Sequence, residues 1–199
     1  MNLMRLLDEL RILSQNGVEY ADNPYDKERY ERILTLTSLY YGKALSLPPA
    51  EVRNRFAAEL GHITPKVGAE AAIFNSAGDI LLMQRADDGT WCLPCGWVDP
   101  NESPAATAIR ETKEETGLNV DVITLVDVYF HAPSAKFGPH GRIDILYYCS
   151  IVDGSLRLSH EGEALEYWNI DDVPVWHKQH ETYARDAEHA WSEDTCPEK

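Results

Sequence analysis

The sequence predicts an α/β protein: a mixed sheet flanked by helices, with a small helical segment ahead of it. Three observations carry this reading. Leu3, Leu6, Leu7, Leu10 and Leu13 recur at helical spacing; from Thr64-Pro65 onward, short apolar runs alternate with turn residues; and a helix marked at both ends, 104–116, sits among those runs. With 199 residues, 44% hydrophobic and 26% charged, the chain can bury a sizeable core and has room for a domain at 64–199 preceded by a smaller one at 1–63.

The leucine stripe gives a first helix that stops near Gly17. Residues 25–44 give a second, with Pro24 before it and Leu47-Pro48-Pro49 after it, and Ala50 to Leu60 give a third. Three short helices bury little by themselves, so this segment is expected to pack on the larger domain or on a partner chain, and a homodimer built partly through 1–63 is predicted. Val67 to Asn75, the turn Ser76-Ala77-Gly78-Asp79 and Ile80 to Gln84 read as a hairpin. Asn119 to Phe130 and Arg142 to Val152 read as strands, Asp153-Gly154 as a turn, and Glu166 to Ile170 as a short strand before Asp171-Asp172-Val173-Pro174. Residues 177–191 close the chain as a helix.

The chemistry is concentrated in residues 96–118. Ser103 has the N-cap position, Pro104 the first helical position, and Gly117 supplies a left-handed stop after Thr116. At about 100° per residue, Glu111, Glu114 and Glu115 share an arc of roughly 100°, while Ala105, Ile109, Thr112 and Thr116 cluster on another side that should pack. Like charges on adjacent turns repel, and hard oxygen ligands suit Mg²⁺ or Mn²⁺, which bridge carboxylates to phosphates. A lone Glu114-Glu115 pair would read as a solvated helix face; the complete spacing does not.

That spacing resembles the signature of the Nudix hydrolases: Gly, five residues, Glu, seven residues, Arg-Glu, an apolar residue, any residue, Glu-Glu, any residue, Gly, apolar. Gly96, Glu102, Arg110, Glu111, Glu114, Glu115, Gly117 and Leu118 match, and Thr112 stands where an aliphatic residue is usual. The resemblance implies an α/β/α sandwich and a metal-dependent attack of water on a nucleoside diphosphate joined to a second group. It implies Glu111 and Glu115 as metal ligands, Glu114 as a further ligand or water-holder, and Arg110 as the partner that orients a Glu. Glu102 becomes a supporting acid at the loop–helix junction on the substrate side, and the backbone carbonyl near Cys95-Gly96 completes the metal shell. The first 63 residues, most recognisably Asn23-Pro-Tyr-Asp-Lys-Glu-Arg-Tyr-Glu31, resemble the helical extension of a bacterial Nudix subgroup acting on nucleoside diphosphates linked to choline or ribose.

Outside the signature, the resemblance points to an acid on the segment 160–168, where Glu161 is the first choice and Glu163 the second. Arg85, at a strand end, reads equally as a phosphate contact or a surface residue. Trp97, Tyr129, Phe130 and Phe137 are candidates for stacking a base or caging a choline cation, although such aromatics are more often core. Pro133 resembles a feature of the ADP-ribose-cleaving branch, so ADP-ribose and CDP-choline lead the substrate classes. An RNA 5'-end pyrophosphohydrolase and a non-catalytic ligand-sensing regulator are the alternatives.

A net charge of −15 argues against a broad nucleic-acid surface, yet it does not exclude a nucleotide, because bound metal reverses the local field. No run of 18 apolar residues exists and the amino terminus is amphipathic, so neither membrane span nor signal peptide is expected and a cytoplasmic protein is predicted. Cys92, Cys95, Cys149 and Cys196 make no disulfide framework. Cys92-Leu-Pro-Cys95 has redox or half-zinc spacing without a second pair, and His177-x-x-His180 reads as a helix face.

Overall fold

A computed structural model describes residues 3–57, 64–99, 101–134 and 141–195. It forms two compact units, Met1–Lys66 with His131–Arg142, and Val67–Phe130 with Ile143–Lys199.

The first unit contains α1 (Leu3–Tyr20), α2 (Pro24–Leu45) and α3 (Pro49–Ala57). The Asn23 side chain caps α2 by accepting from the Asp26 N–H at 2.9 Å, and Ser46 ends it in the left-handed region at φ 56°. Met4, Leu7, Leu34, Tyr41, Val52 and Phe56 form its core. Arg11 is buried with its guanidinium 4.9 Å from the Phe56 ring and 3.1 Å from Asp8. The first helix runs past Gly17 rather than stopping there. That glycine is a packing contact, because a Cβ on it would fall on the ring of Tyr30. The expected end of the third helix, Leu60, lies outside the described residues.

The second unit is α/β. Its elements are β1 (Lys66–Ile73), β2 (Ile80–Arg85), β3 (Trp91–Cys92), β4 (Cys95–Trp97), α4 (Pro104–Thr116), β5 (Leu118–His131), β6 (Arg142–Gly154), β7 (Gly162–Trp168) and α5 (His180–Thr195). The strands make two sheets, ordered β4-β1-β6-β5 and β3-β2-β7. One core cluster, with Leu82, Trp91, Leu146 and Tyr148, takes in Tyr183, Ala184 and Ala187 of α5. The other, with Ala69, Ala71, Ile73 and Leu81, takes in Ala108 of α4.

Several expectations are corrected here. The Asn75–Asp79 turn forms, but β1 and β2 meet only at the Phe74–Ile80 bridge and then enter different sheets. Both are buried on both faces, so the two-residue period that would betray a partner is absent. β6 runs through Asp153 to Gly154, and β7 begins at Gly162 rather than near 166. His177 precedes α5 rather than lying in it: Lys178 and Gln179 make the turn, with the His180 N–H donating to the His177 carbonyl at 2.9 Å. Both histidines are buried, so they are not a helix face. No described helix is long and apolar enough to cross a membrane.

Candidate active site

The second unit gathers its acids around α4. Ser103 caps the helix through Ala106 N–H at 3.2 Å, Pro104 opens it, and Gly117 closes it at φ 78°. The buried face consists of Thr107, Ala108, Thr112, Glu115 and Thr116. Ile109 is 36% exposed, so the packing face is rotated from the expected one. Thr112 fits where an aliphatic residue is usual because its hydroxyl donates to the Ala108 carbonyl at 2.7 Å and leaves no unmet donor.

Glu115 therefore lies on the packed side of the helix, only 5% exposed, and not on a solvated arc. Its Oε2 accepts the Cys95 N–H at 3.0 Å. Burial pushes its carboxyl up to about 8 against that hydrogen bond, and the charges of Glu111, Glu161 and Glu70 push the same way. Burial also raises Glu111, which Arg110 opposes. Gly96 lies against Glu111, since a Cβ there would fall on its carboxylate. Glu114 is exposed and 3.3 Å from Arg110.

Arg110 spans four acids, Asp99, Glu102, Glu111 and Glu114. Its Nη2 is 2.9 Å from Glu102 and its Nη1 2.7 Å from Glu111, and it also donates to the Trp97 carbonyl at 3.4 Å. The Arg110 fork, followed by the Thr107 hydroxyl at 2.7 Å, holds Glu102 down at about 2. Both Glu102 oxygens are thus engaged, one by Arg110 alone and the other by Arg110 and the Thr107 hydroxyl, so Glu102 braces Arg110.

Glu161 comes from a distant segment and joins this group. The β6–β7 connection is tied to the end of α4 by Arg157 N–H to Thr116 O at 2.8 Å and Ser159 N–H to Glu115 O at 3.3 Å. Pairing of β7 on β2 then sets Glu161 beside Ala86, whose N–H donates to the Glu161 carbonyl at 3.1 Å. Its side chain is 62% exposed, and its charge is felt by both Glu111 and Glu115. Glu163 is exposed within β7.

Of the remaining candidates, Arg85 donates to both oxygens of Asp87, at 2.9 and 2.6 Å, so a phosphate would have to displace that acid. Trp97 is 56% exposed at the end of β4. Tyr129 donates to Asp186 at 2.6 Å and its ring centroid lies 4.3 Å from that of Tyr183, which makes it structural. Phe130 is exposed and Pro133 buried, while Phe137 and Cys196 lie outside the described residues. The thiol of Cys92 donates to the Met83 carbonyl at 3.6 Å.

Sequence reasoning missed Glu70 and read His180 only as part of a helix face. Ligand atoms of Glu70, Cys95 and His180 all lie within 4.8 Å of one another. The available signal was Glu70 itself, an acid inside the apolar run Val67-Gly-Ala-Glu-Ala-Ala-Ile73.

The carboxylates of Glu111, Glu114 and Glu115 fit a hard divalent cation, which takes oxygen ligands, and desolvation with mutual repulsion raises both Glu111 and Glu115.

Comparison with known proteins gives the family. Residues 64–190 match the NUDIX domain, and residues 1–56 match the UDP-X-like, N-terminal oligomerisation domain. YjhB of Bacillus subtilis is 26% identical over 168 residues, 83% of this chain and 79% of that one. An ADP-ribose pyrophosphatase of Methanocaldococcus jannaschii is 29% identical, over 63% of this chain and 74% of its own length. Among solved structures, an ADP-ribose pyrophosphatase from Streptococcus suis is 29% identical, with TM-score 0.55 over 64% of this chain and 92% of that chain. A UDP-X diphosphatase covers 96% of this chain and 94% of its own, with TM-score 0.59 at 22% identity, a likeness of fold.

Proposed function

This chain belongs to the NUDIX family of hydrolases, and from that premise we propose that it cleaves the pyrophosphate bond of a nucleoside diphosphate linked to a second group. ADP-ribose is the first candidate, because the relatives from Methanocaldococcus jannaschii and Streptococcus suis carry that activity in their names. CDP-choline is the second, from the character of the helical extension. The observation that carries the reading is the convergence of Glu111, Glu115 and Glu161 in one electrostatic cluster braced by Arg110 and Glu102.

Glu111 and Glu115, with Glu114, are the residues to hold Mg²⁺ or Mn²⁺. When bound, such a cation neutralises phosphate oxygens and lowers the pKa of the attacking water. Arg110 fixes the Glu111 carboxylate through its Nη1. Glu161 accepts the proton of the attacking water on a carboxylate oxygen, since it is exposed and, unlike Glu102, Glu111 and Glu114, is not held by Arg110. Trp97 offers an exposed ring for a base, and Arg85 turns from Asp87 to a phosphate oxygen. Residues 1–63 form a dimerising extension and 64–199 the hydrolase domain, within a cytoplasmic homodimer.

The test is hydrolysis with Mg²⁺ or Mn²⁺ of ADP-ribose, CDP-choline, nucleotide sugars, dinucleoside polyphosphates and triphosphorylated RNA. Release of a nucleoside monophosphate and a phosphorylated second group from the first three supports the reading. Cleavage of the RNA alone overturns it.

A further inference from the structure

The turn between β3 and β4 is fixed from two sides. On one side Cys95 N–H donates to Glu115 at 3.0 Å, and Gly96 follows directly against Glu111. On the other, Leu93 N–H donates to Nδ1 of His180 at 3.1 Å. Pro94 lies between and has no N–H of its own, although its carbonyl accepts from Ala71 at 2.9 Å. The amides of Leu93 and Cys95 are therefore the donors by which this turn is held.

His180 is the first residue of α5 and is buried. α5 is itself anchored in the sheet core, with Tyr183 donating to Asp144 at 2.9 Å and Ala184 and Ala187 packed in the cluster. The segment just before α5 grips β3 as well: Trp91 N–H donates to Val175 O at 2.9 Å, and His177 N–H to Trp91 O at 2.8 Å. A ring whose Nδ1 accepts an amide carries its hydrogen on Nε2. Neither nitrogen then offers a free lone pair to a cation, so within the Glu70, Cys95 and His180 cluster the histidine acts as a hydrogen-bonded clamp on Leu93.

We propose that His180 is a positioning residue for the catalytic acids: by holding the Leu93 amide it fixes the Leu93-Pro94-Cys95 turn, so that the Cys95 amide orients Glu115. This rests on the reading of Glu115 as a metal ligand. The link runs from α5, which carries none of the signature, to the helix that carries Glu111, Glu114 and Glu115. Removal of the ring acceptor releases one end of the turn while every signature residue is left unsubstituted.

The test compares His180→Asn, which keeps an acceptor oxygen near the position of Nδ1, with His180→Leu, which keeps bulk and removes the acceptor. Two readouts are taken: hydrogen exchange of the Leu93 and Cys95 amides in metal-free protein, and Mn²⁺ affinity from electron paramagnetic resonance, with Mn²⁺ as the sole ligand. In the Leu variant, both amides should exchange about tenfold faster or more. Mn²⁺ affinity should fall roughly 10–100-fold, and the Asn variant should recover most of both. A merely structural histidine would lower Tm in both variants without separating them in Mn²⁺ affinity, and that result overturns the proposal. Protection of the Cys95 amide in a folded Leu variant overturns it equally. Should the Leu variant not fold, His180→Gln, whose acceptor reaches the Nε2 position instead, replaces it in the same comparison. Glu115→Gln is run alongside: wild-type Mn²⁺ affinity there refutes Glu115 as a ligand, while the exchange data still decide the clamp.

Discussion

At the scale of single residues, Glu115 combines burial with a carboxyl raised from 4.5 to about 8. A carboxyl raised in the folded state contributes stability below its unfolded value, and that contribution is lost as pH climbs through the folded value. Metal-free protein should therefore lose stability between pH 5 and 8.5, whereas Glu115→Gln, which keeps an acceptor for Cys95 and carries no charge, should not. In a chelator the variant's Tm should exceed the wild type's by roughly 5 °C at pH 8.5, with the gap closing near pH 5. A pH-independent gap in thermal denaturation would count against desolvation as the cause. With Mg²⁺ the same variant should lose about a hundredfold in turnover. Glu161→Gln should lower kcat by about 10²–10⁴ with KM and metal affinity little changed, the behaviour of a group acting in the transition state. Steady-state kinetics showing the loss in Glu163→Gln instead would move the base two residues along. The α4 acids were legible because they sit one helical turn apart in a single segment. Glu70 and His180 were not, because β1 and α5 bring them to Cys95 from opposite ends of the domain.

At the scale of elements, α4 was read correctly end to end because Ser103, Pro104 and Gly117 are local devices that need no tertiary partner. Its packing face was read only in part: Thr112 and Thr116 are buried as expected, but Ile109 is exposed, while Glu115 and Thr107, whose hydroxyl donates to Glu102, are buried. Polarity by residue type fails where a hydroxyl is satisfied internally. The β1–β2 hairpin failed for the converse reason: two uniformly apolar strands show where a turn is but not which sheet each strand joins. The close approach of β4 to α4 yields its own prediction. In Gly96→Ala the new methyl meets the Glu111 carboxylate, the mobile end of a side chain, so the helix should stay folded while Glu111 is displaced from Arg110. Activity should fall about a hundredfold with a small change in Tm. Turnover near wild type in that variant would show that Glu111 has room the structure does not display.

At the scale of the whole molecule, length and acidity fix little beyond class, and the substrate is set by side chains around an exposed site that no short motif specifies. Association is more accessible to physical argument. The helical unit buries a small core, yet α2 leaves Ile33, Leu36, Leu39 and Tyr40 37–51% exposed along one stretch of its length. Apolar side chains so grouped on a helix are commonly covered by another chain, and residues 1–56 match an oligomerisation domain. The full chain is therefore expected to run in light scattering at twice its 22.5 kDa at micromolar concentration. Leu36→Glu with Tyr40→Glu places two charges on that stretch without substituting Leu34, Thr37, Ser38, Tyr41 or Gly42, the buried positions of α2. A desolvated unpaired charge in an interface costs several kcal/mol, enough to shift a micromolar dimer to monomer. The double variant should thus be monomeric with an unchanged helical circular dichroism signal. If it remains dimeric, the contact between copies lies elsewhere on the chain and α2 is a solvent face.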